Sequence, residues 1–251
     1  MSVTLQFHPD WPHAGGLVIE SLARDGRYRS QFETGTSNGG LTAHAGGDRW
    51  RWGSRLFGGR YDDAPAGERP VYGAWNRRED PYGGAIRFGS AHVRLRPELL
   101  ERCTFCFPDS VLEPTDFGGP EMLPPLSAMA DASGFDDLDE CVEAQVHGGV
   151  VIGRDVEAVV LDPCFRGTRV ETAAAGLGCA VEWHPGFRLA TDGLDPDYRG
   201  QQYVDLARSL GDVLTPDLLG DAARSGDYDP QAVKRVWHYL ARFGRADSGS
   251  L

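Results

Sequence analysis

Glu143, Gln145 and His147 recur at every second residue, alternating with Val142, Ala144 and Val146. In a β-strand that spacing sends the polar side chains to one face and the apolar ones to the other. A carboxylate, an amide and an imidazole in one row can line a cleft, and the same pattern also describes a solvated sheet face. A second stretch, Tyr28-Arg29-Ser30-Gln31-Phe32-Glu33-Thr34-Gly35-Thr36-Ser37-Asn38-Gly39-Gly40, packs hydroxyls, an amide, a guanidinium and three glycines into one loop. Glycines let backbone N–H groups converge on an anion, and the hydroxyls add donors. The stretch contains neither G-x-G-x-x-G nor Gly-Lys-Ser/Thr, so it is not a standard phosphate loop, and a plain turn also explains it. In Arg69-Pro70-Val71-Tyr72-Gly73-Ala74-Trp75-Asn76 an aromatic strand follows an arginine. Tyr72 offers a face for a flat heterocycle, or simply belongs to a core. His8 closes the opening strand, a position where a lone histidine is more often structural.

Metal chemistry has weaker support. His8, Asp10 and His13, with Asp62 and Asp63, have the density of a ligand set for a metal-dependent hydrolase, but Pro9 and Pro12 make a rigid turn the simpler explanation. Cys103-x-x-Cys106 lacks the second ligand pair of a structural zinc site, and no metal is expected. Five cysteines at loose spacing argue against a disulfide framework.

The elements that must hold these residues read as α+β. Val3–Phe7 alternates as a strand, and Leu17–Ala23 has helical spacing closed by Asp25-Gly26. Residues 29–70 show no period, which in a segment of that length points to function. Strand patterns return at Val71–Trp75, Ala85–Leu95, Cys103–Phe107, Val142–Val146, Val150–Ile152 and Val156–Leu161, with a short helix expected near Ser127–Ala130. Three helices are predicted over 197–210, 216–225 and 230–243, with Thr215-Pro216 and Asp229-Pro230 as N-cap pairs. The order of strand, helix, long loop and strands gives a domain over 1–185 and a helical extension over 186–251 that packs on it.

Bulk properties narrow the function classes. The chain has 251 residues and a formal charge of −12, which disfavours general electrostatic attraction to phosphate backbones. Lysine occurs once, at Lys234, so arginine serves nearly every cationic role, and arginine suits bidentate grips on phosphate. No apolar run is long enough to span a bilayer, and the N-terminus lacks the pattern of a signal peptide, so a cytoplasmic protein with no membrane partner is expected.

Taken in order, a strand ending in His8, a helix ending in Asp25-Gly26, a polar loop, the Tyr72 strand and a late Glu143-Ala144-Gln145-Val146 strand resemble ADP-ribosyltransferases, particularly the type that modifies DNA bases. In that family the first strand carries His or Arg, a middle strand carries an aromatic residue, and the catalytic Glu stands in the context Glu-Ala-x-Val. Arg102-Cys103-Thr104-Phe105-Cys106-Phe107-Pro108-Asp109-Ser110 is similar to the family's Phe-x-Asp-Gly strand end. The resemblance covers about residues 3–162. The whole chain is also similar to an uncharacterised bacterial domain-of-unknown-function family, through SQFETGTSNGGL, FGGRYD, RPVYGAWN and VEAQVHG.

The transferase resemblance implies a split antiparallel sheet core and NAD as substrate. It assigns Glu143 to the oxocarbenium-like charge on the ribose and His8 to the adenosine-side ribose. Arg29 or Arg49, with N–H groups around Thr36, Ser37 and Asn38, would grip the pyrophosphate, and Tyr72 would stack on nicotinamide. Segment 108–137 would recognise the target, a nucleic acid or a protein. Arginine-modifying members carry Glu or Gln two residues before the catalytic Glu, where this chain has Cys141; a register shift of two would put Gln145 in the catalytic place and leave the site inactive. The alternatives are a non-catalytic nucleotide-binding or interaction module on the same fold and, third, the metal-dependent hydrolase.

Overall fold

The computed structural model describes residues 1–35 and 42–246. Eight strands form one mixed sheet: β1 (Ser2–Phe7), β2 (Val71–Asn76), β3 (Ala91–Leu95), β4 (Cys103–Cys106), β5 (Phe117–Gly118), β6 (Glu143–Val146), β7 (Val156–Leu161) and β8 (Ala180–Trp183). Their spatial order is β8-β7-β3-β1-β2-β6-β4-β5. All neighbours are antiparallel except β7 and β8, which run parallel. The sheet is continuous rather than split, because β2 hydrogen-bonds β1 on one side and β6 on the other.

Register defines two faces. Leu5, Val71, Val93, Phe105, Ala144, Val146, Val159 and Leu161 point to a closed apolar core. That core is covered by α1 (Val18–Asp25), by α3 (Leu123–Ala132) through Leu123 and Leu126, and by α4 (Arg169–Ala175) through Val170 and Ala174. The opposite face carries Thr4, Gln6, Tyr72, His92, Thr104, Cys106, Glu143 and Gln145, which the pairing aligns in cross-strand rows. A second apolar core joins α5 (Gln201–Leu210), α6 (Pro216–Ser225) and α7 (Pro230–Phe243) to Tyr82, Ile86 and Leu138. Trp237 of α7 is fully buried and donates its indole N–H to Ile86 O at 3.1 Å. Arg224 of α6 pairs with buried Asp10 at 2.9 Å, and Gly220 lies so close to that carboxylate that a side chain there would overlap it.

Several expectations are corrected. Ala85–Leu95 is not one strand: Ile86–Phe88 forms a single 3-10 turn, and Gly89 presses against the Phe7 backbone where no Cβ fits. Val150–Val151 leaves the main sheet to pair with Arg27–Tyr28, since Gly148 and Gly149 both adopt left-handed backbone (φ 76 and 70) and turn the chain outward. The segment read as aperiodic contains α2 (Asp48–Leu56). Its inward face holds Arg49, Trp52 and Gly53 instead of an aliphatic stripe, so hydrophobic periodicity does not reveal it. The helix expected near Ser127–Ala130 spans ten residues, and that expected over 197–210 breaks at Gly200. Asp229 caps α7 by accepting from Ala232 N at 3.0 Å, whereas the Thr215 side chain makes no capping bond to α6. No helix among the described residues is long and apolar enough to cross a membrane.

Candidate functional site

Strand β6 hydrogen-bonds to β2 and β4, so Glu143 stands opposite Ala74 and Cys106 while Gln145 stands opposite Tyr72 and Thr104. All of these lie on the polar face. Above them the chain leaves β4 through Asp109-Ser110, and α2 crosses with Arg49 pointing down. Glu143 is 7% exposed and Arg49 4%, so this is an interior site.

Every partner of the Glu143 carboxylate is a donor. Ser110 donates both its backbone N–H (3.2 Å) and its hydroxyl (2.7 Å) to Oε2, and Gln145 Nε2 donates to Oε1 at 3.0 Å. The Gln145 amide orientation is thereby fixed, because a carboxylate cannot donate to it. Its carbonyl accepts from Thr104 Oγ1 at 2.9 Å. Thr104 has one proton, so the 2.9 Å contact from its oxygen to His147 Nε2 requires that nitrogen to carry hydrogen. His147 Nδ1 is then an acceptor for Tyr61 OH at 2.7 Å. A chain of donors thus runs Tyr61, His147, Thr104, Gln145 and ends on Glu143. Burial, with help from Arg60 and Arg102, lowers the His147 pKa to about 4, which agrees with a neutral imidazole.

Arg49 closes the other side. Its Nη1 donates to Ser110 Oγ at 2.6 Å and lies 3.6 Å from Glu143 Oε2, while the guanidinium carbon sits 4.0 Å above the Tyr72 ring centroid. Its Nε is buried without a partner. Trp52, one turn along α2, packs beside Tyr72 with ring centroids 5.9 Å apart. Burial raises the Tyr72 hydroxyl pKa strongly. Burial, reinforced by the Glu143 charge, also raises the Asp109 carboxyl. The result is a cradle for a planar cation, with an aromatic face below and a carboxylate at the edge, filled by the protein's own arginine.

The other expected residues lie apart from this cradle. His8 sits on the same sheet side, about 13 Å along the strand from the row of Glu143 and about 10 Å across it. Its ring stacks on Trp11 (4.2 Å) and meets the edge of Trp237 (4.8 Å), and burial lowers its pKa to about 3. Arg29 pairs with Asp25 at 2.9 Å, away from Glu143. Thr36, Ser37 and Asn38, with the anion loop they belong to, lie outside the described residues. Of the hydrolase ligands, Asp10 is bound to Arg224 and Asp62 accepts from Ser54 at 2.8 Å. Among the described residues no three His, Cys, Asp or Glu side chains gather as a metal would require.

Sequence reasoning passed over Thr104, Ser110 and Tyr61. Thr104 was within reach, since alternation along Cys103–Cys106 puts it on one face with Cys106; Ser110 opens a short 3-10 turn and Tyr61 lies in a turn, and neither carries a periodic signal. No curated protein matches the chain. A family model does, over residues 2–129 and 124–243, and on that match the chain belongs to the family described as "Protein of unknown function (DUF3626)".

Proposed function

We propose that this protein cleaves NAD at the nicotinamide–ribose bond and transfers ADP-ribose to an acceptor, a nucleic acid or a protein, as a divergent ADP-ribosyltransferase. One observation carries the reading: Tyr72 and Glu143 together hold a flat, delocalised cation, the Arg49 guanidinium, 4.0 Å over the ring and 3.6 Å from the carboxylate. The nicotinamide ring of NAD is also a flat cation. If it replaces Arg49 on Tyr72, Glu143 comes beside the ribose.

The bond from ribose C1′ to nicotinamide N1 then breaks with its electron pair on nitrogen, and nicotinamide leaves neutral. Positive charge develops on the sugar, where the carboxylate stabilises it in a site shielded from water. The acceptor's lone pair forms the new bond to C1′, and the acceptor's proton passes to the Glu143 carboxylate and from there to solvent. Gln145 and Ser110 hold Glu143 in one orientation, so its charge needs no reorganisation during the step. The displaced Arg49 remains near the diphosphate. It rides on α2, whose C-terminal exit Gly58-Gly59 has left-handed backbone (φ 58 and 78) that leaves room for a hinge.

Glu143→Gln keeps the volume and removes the charge. Nicotinamide release from NAD should fall at least about 100-fold in this variant, with its melting curve recorded beside wild type. Unchanged release would remove the assignment. A second reading has its own support: Ser110, Gln145 and Arg49 together satisfy Glu143 in a closed network, as suits a nucleotide-binding or interaction module without catalysis. Calorimetric NAD binding with no nicotinamide release in the wild-type protein would select its nucleotide-binding form, and absence of both binding and release would sink that form and the transferase together.

A further inference from the structure

Gln145 is fully buried, and its side-chain amide is saturated in a single orientation. Its Nε2 donates to Glu143 Oε1 at 3.0 Å and to Cys106 Sγ at 3.3 Å, while its carbonyl accepts from Thr104 Oγ1 at 2.9 Å. Turned end for end, the amide would set its oxygen against the carboxylate. The two oxygens of Glu143 are held unequally. Oε2 has both donors of Ser110, with Arg49 Nη1 at 3.6 Å. Oε1 has Gln145 as its close donor, with the Cys106 thiol at 4.0 Å. The plane of the carboxylate therefore depends on the amide of Gln145.

What holds the amide lies farther out. The Thr104 hydroxyl has one hydrogen and two neighbours at 2.9 Å, Gln145 Oε1 and His147 Nε2. Facing a bare ring nitrogen, it would divide that hydrogen between two acceptors. Facing an Nε2 that carries hydrogen, it accepts from the ring and turns its own proton to Gln145. The tautomer is held in turn by Tyr61, whose hydroxyl donates to Nδ1 at 2.7 Å. The edge contact with Phe57 (5.4 Å) and the stacked Tyr61 ring (5.9 Å) confine the imidazole. Both aromatic residues come from the segment that follows α2, so the roof that carries Arg49 also sets the hydrogen on His147.

We propose that Thr104 and His147 are positioning residues for Glu143. Neither touches the carboxylate; they act through Gln145, by the direction of their hydrogen bonds. The proposal rests on the reading of Glu143 as the group that stabilises positive charge on the ribose. A carboxylate held in one plane meets that charge without rearranging. Without the Thr104 hydroxyl, the Gln145 carbonyl is left in a dry interior with no donor, and its amide no longer holds Oε1 in place. The seat on Tyr72 is untouched, so the loss falls on the transition state and not on NAD binding.

Thr104→Val keeps the shape of the side chain and removes the hydroxyl, and Thr104→Ser keeps the hydroxyl. In nicotinamide release from NAD by the full chain, Thr104→Val should lower kcat about 10- to 100-fold with KM changed by no more than about twofold. Thr104→Ser should stay near wild type. His147→Leu should repeat the loss, and His147→Gln, whose amide donates toward Thr104 and accepts from Tyr61, should recover part of it. The side-chain amide resonances of Gln145 should move in Thr104→Val and hold in Thr104→Ser, a readout that needs no NAD. Melting curves identify the temperatures at which each variant is folded. A wild-type kcat in folded Thr104→Val would overturn the proposal, as would a Thr104→Ser as impaired as Thr104→Val, which marks a loss of packing alone. A wild-type protein that releases no nicotinamide would remove the reading of Glu143; the Gln145 resonances would then decide the relay by themselves, and unmoved resonances in Thr104→Val would overturn it.

Discussion

The polar face of the sheet is roofed twice, in different ways. Over β2, β6 and β4 the roof is α2 with Asp109-Ser110, and the polar groups beneath form one directed hydrogen-bond chain ending on Glu143. Over β1 and β3 it is residues 82–90 with α7, and beneath it His8 is packed between indole rings. One side of the face is organised by donors and charge, the other by aromatic burial. Two polar residues on one sheet face therefore do different work: Glu143 is presented to a cation, while His8 seats the C-terminal helices.

The largest test of this contrast is Trp237→Ala. It removes the roof over His8 and the indole bond to Ile86, and should cost about 3–5 kcal/mol by denaturant unfolding. The NAD turnover proposed for the Glu143 network should persist at temperatures where the variant is folded, and its loss there would mean that the two roofs are one unit. Acid comes next. Burial holds His8 and His92 near pKa 3 and His238 near 2, while unfolded histidines titrate near 6.5. Through these three residues the unfolded chain takes up three more protons, and His147, lowered to about 4, acts in the same direction, so stability falls as pH drops below about 6.5. Asp10 opposes this. Burial raises its folded pKa to about 7 from 3.8, so its contribution falls as pH rises between those values. The net of about two protons from these three histidines and Asp10, before the same-sign contribution of His147, predicts a loss of at least about 3 kcal/mol per pH unit near pH 5, measurable by unfolding at several pH values. A flat profile from pH 6.5 to 4 would break the prediction.

On the other roof, Ser110→Ala removes one hydroxyl that accepts from Arg49 and donates to Glu143, and should destabilise by about 1.5–3 kcal/mol. It should also reduce the proposed nicotinamide release, since Glu143 loses its anchor. The smallest effect is expected for Arg29→Ala. Its pair with Asp25 is partly exposed and should contribute about 0.5 kcal/mol or less, with NAD affinity unchanged if Arg29 stays where the structure places it. A clear loss of NAD affinity would return Arg29 to the site.

Legibility followed the source of the signal. Local patterns that report on a neighbouring core were readable: β1, the Glu143 strand, α1 with its Gly26 stop, and α7 with its Asp229 cap. Features depending on contacts across the chain were not. Helix α2 hides because its buried face is Arg49 and Trp52, and the 86–88 turn hides because apolar residues suit a turn under Trp237 as well as a strand. Within the site, alternation places Glu143 and Gln145 on one face and Tyr72 on another strand, yet nothing in the spacing says that they meet.

By itself the sequence determined the α+β class, the helical tail and the polar row of β6, because strand and helix periods are short and each residue's environment repeats within a few positions. Only the tertiary structure decided that Arg49 covers Tyr72, that Ser110 holds Glu143, and that Trp237 bonds to Ile86. Those pairings join positions 61 residues apart for Arg49 and Ser110, and 151 apart for Trp237 and Ile86. Sheet order and packing choose such partners, and no local period encodes them.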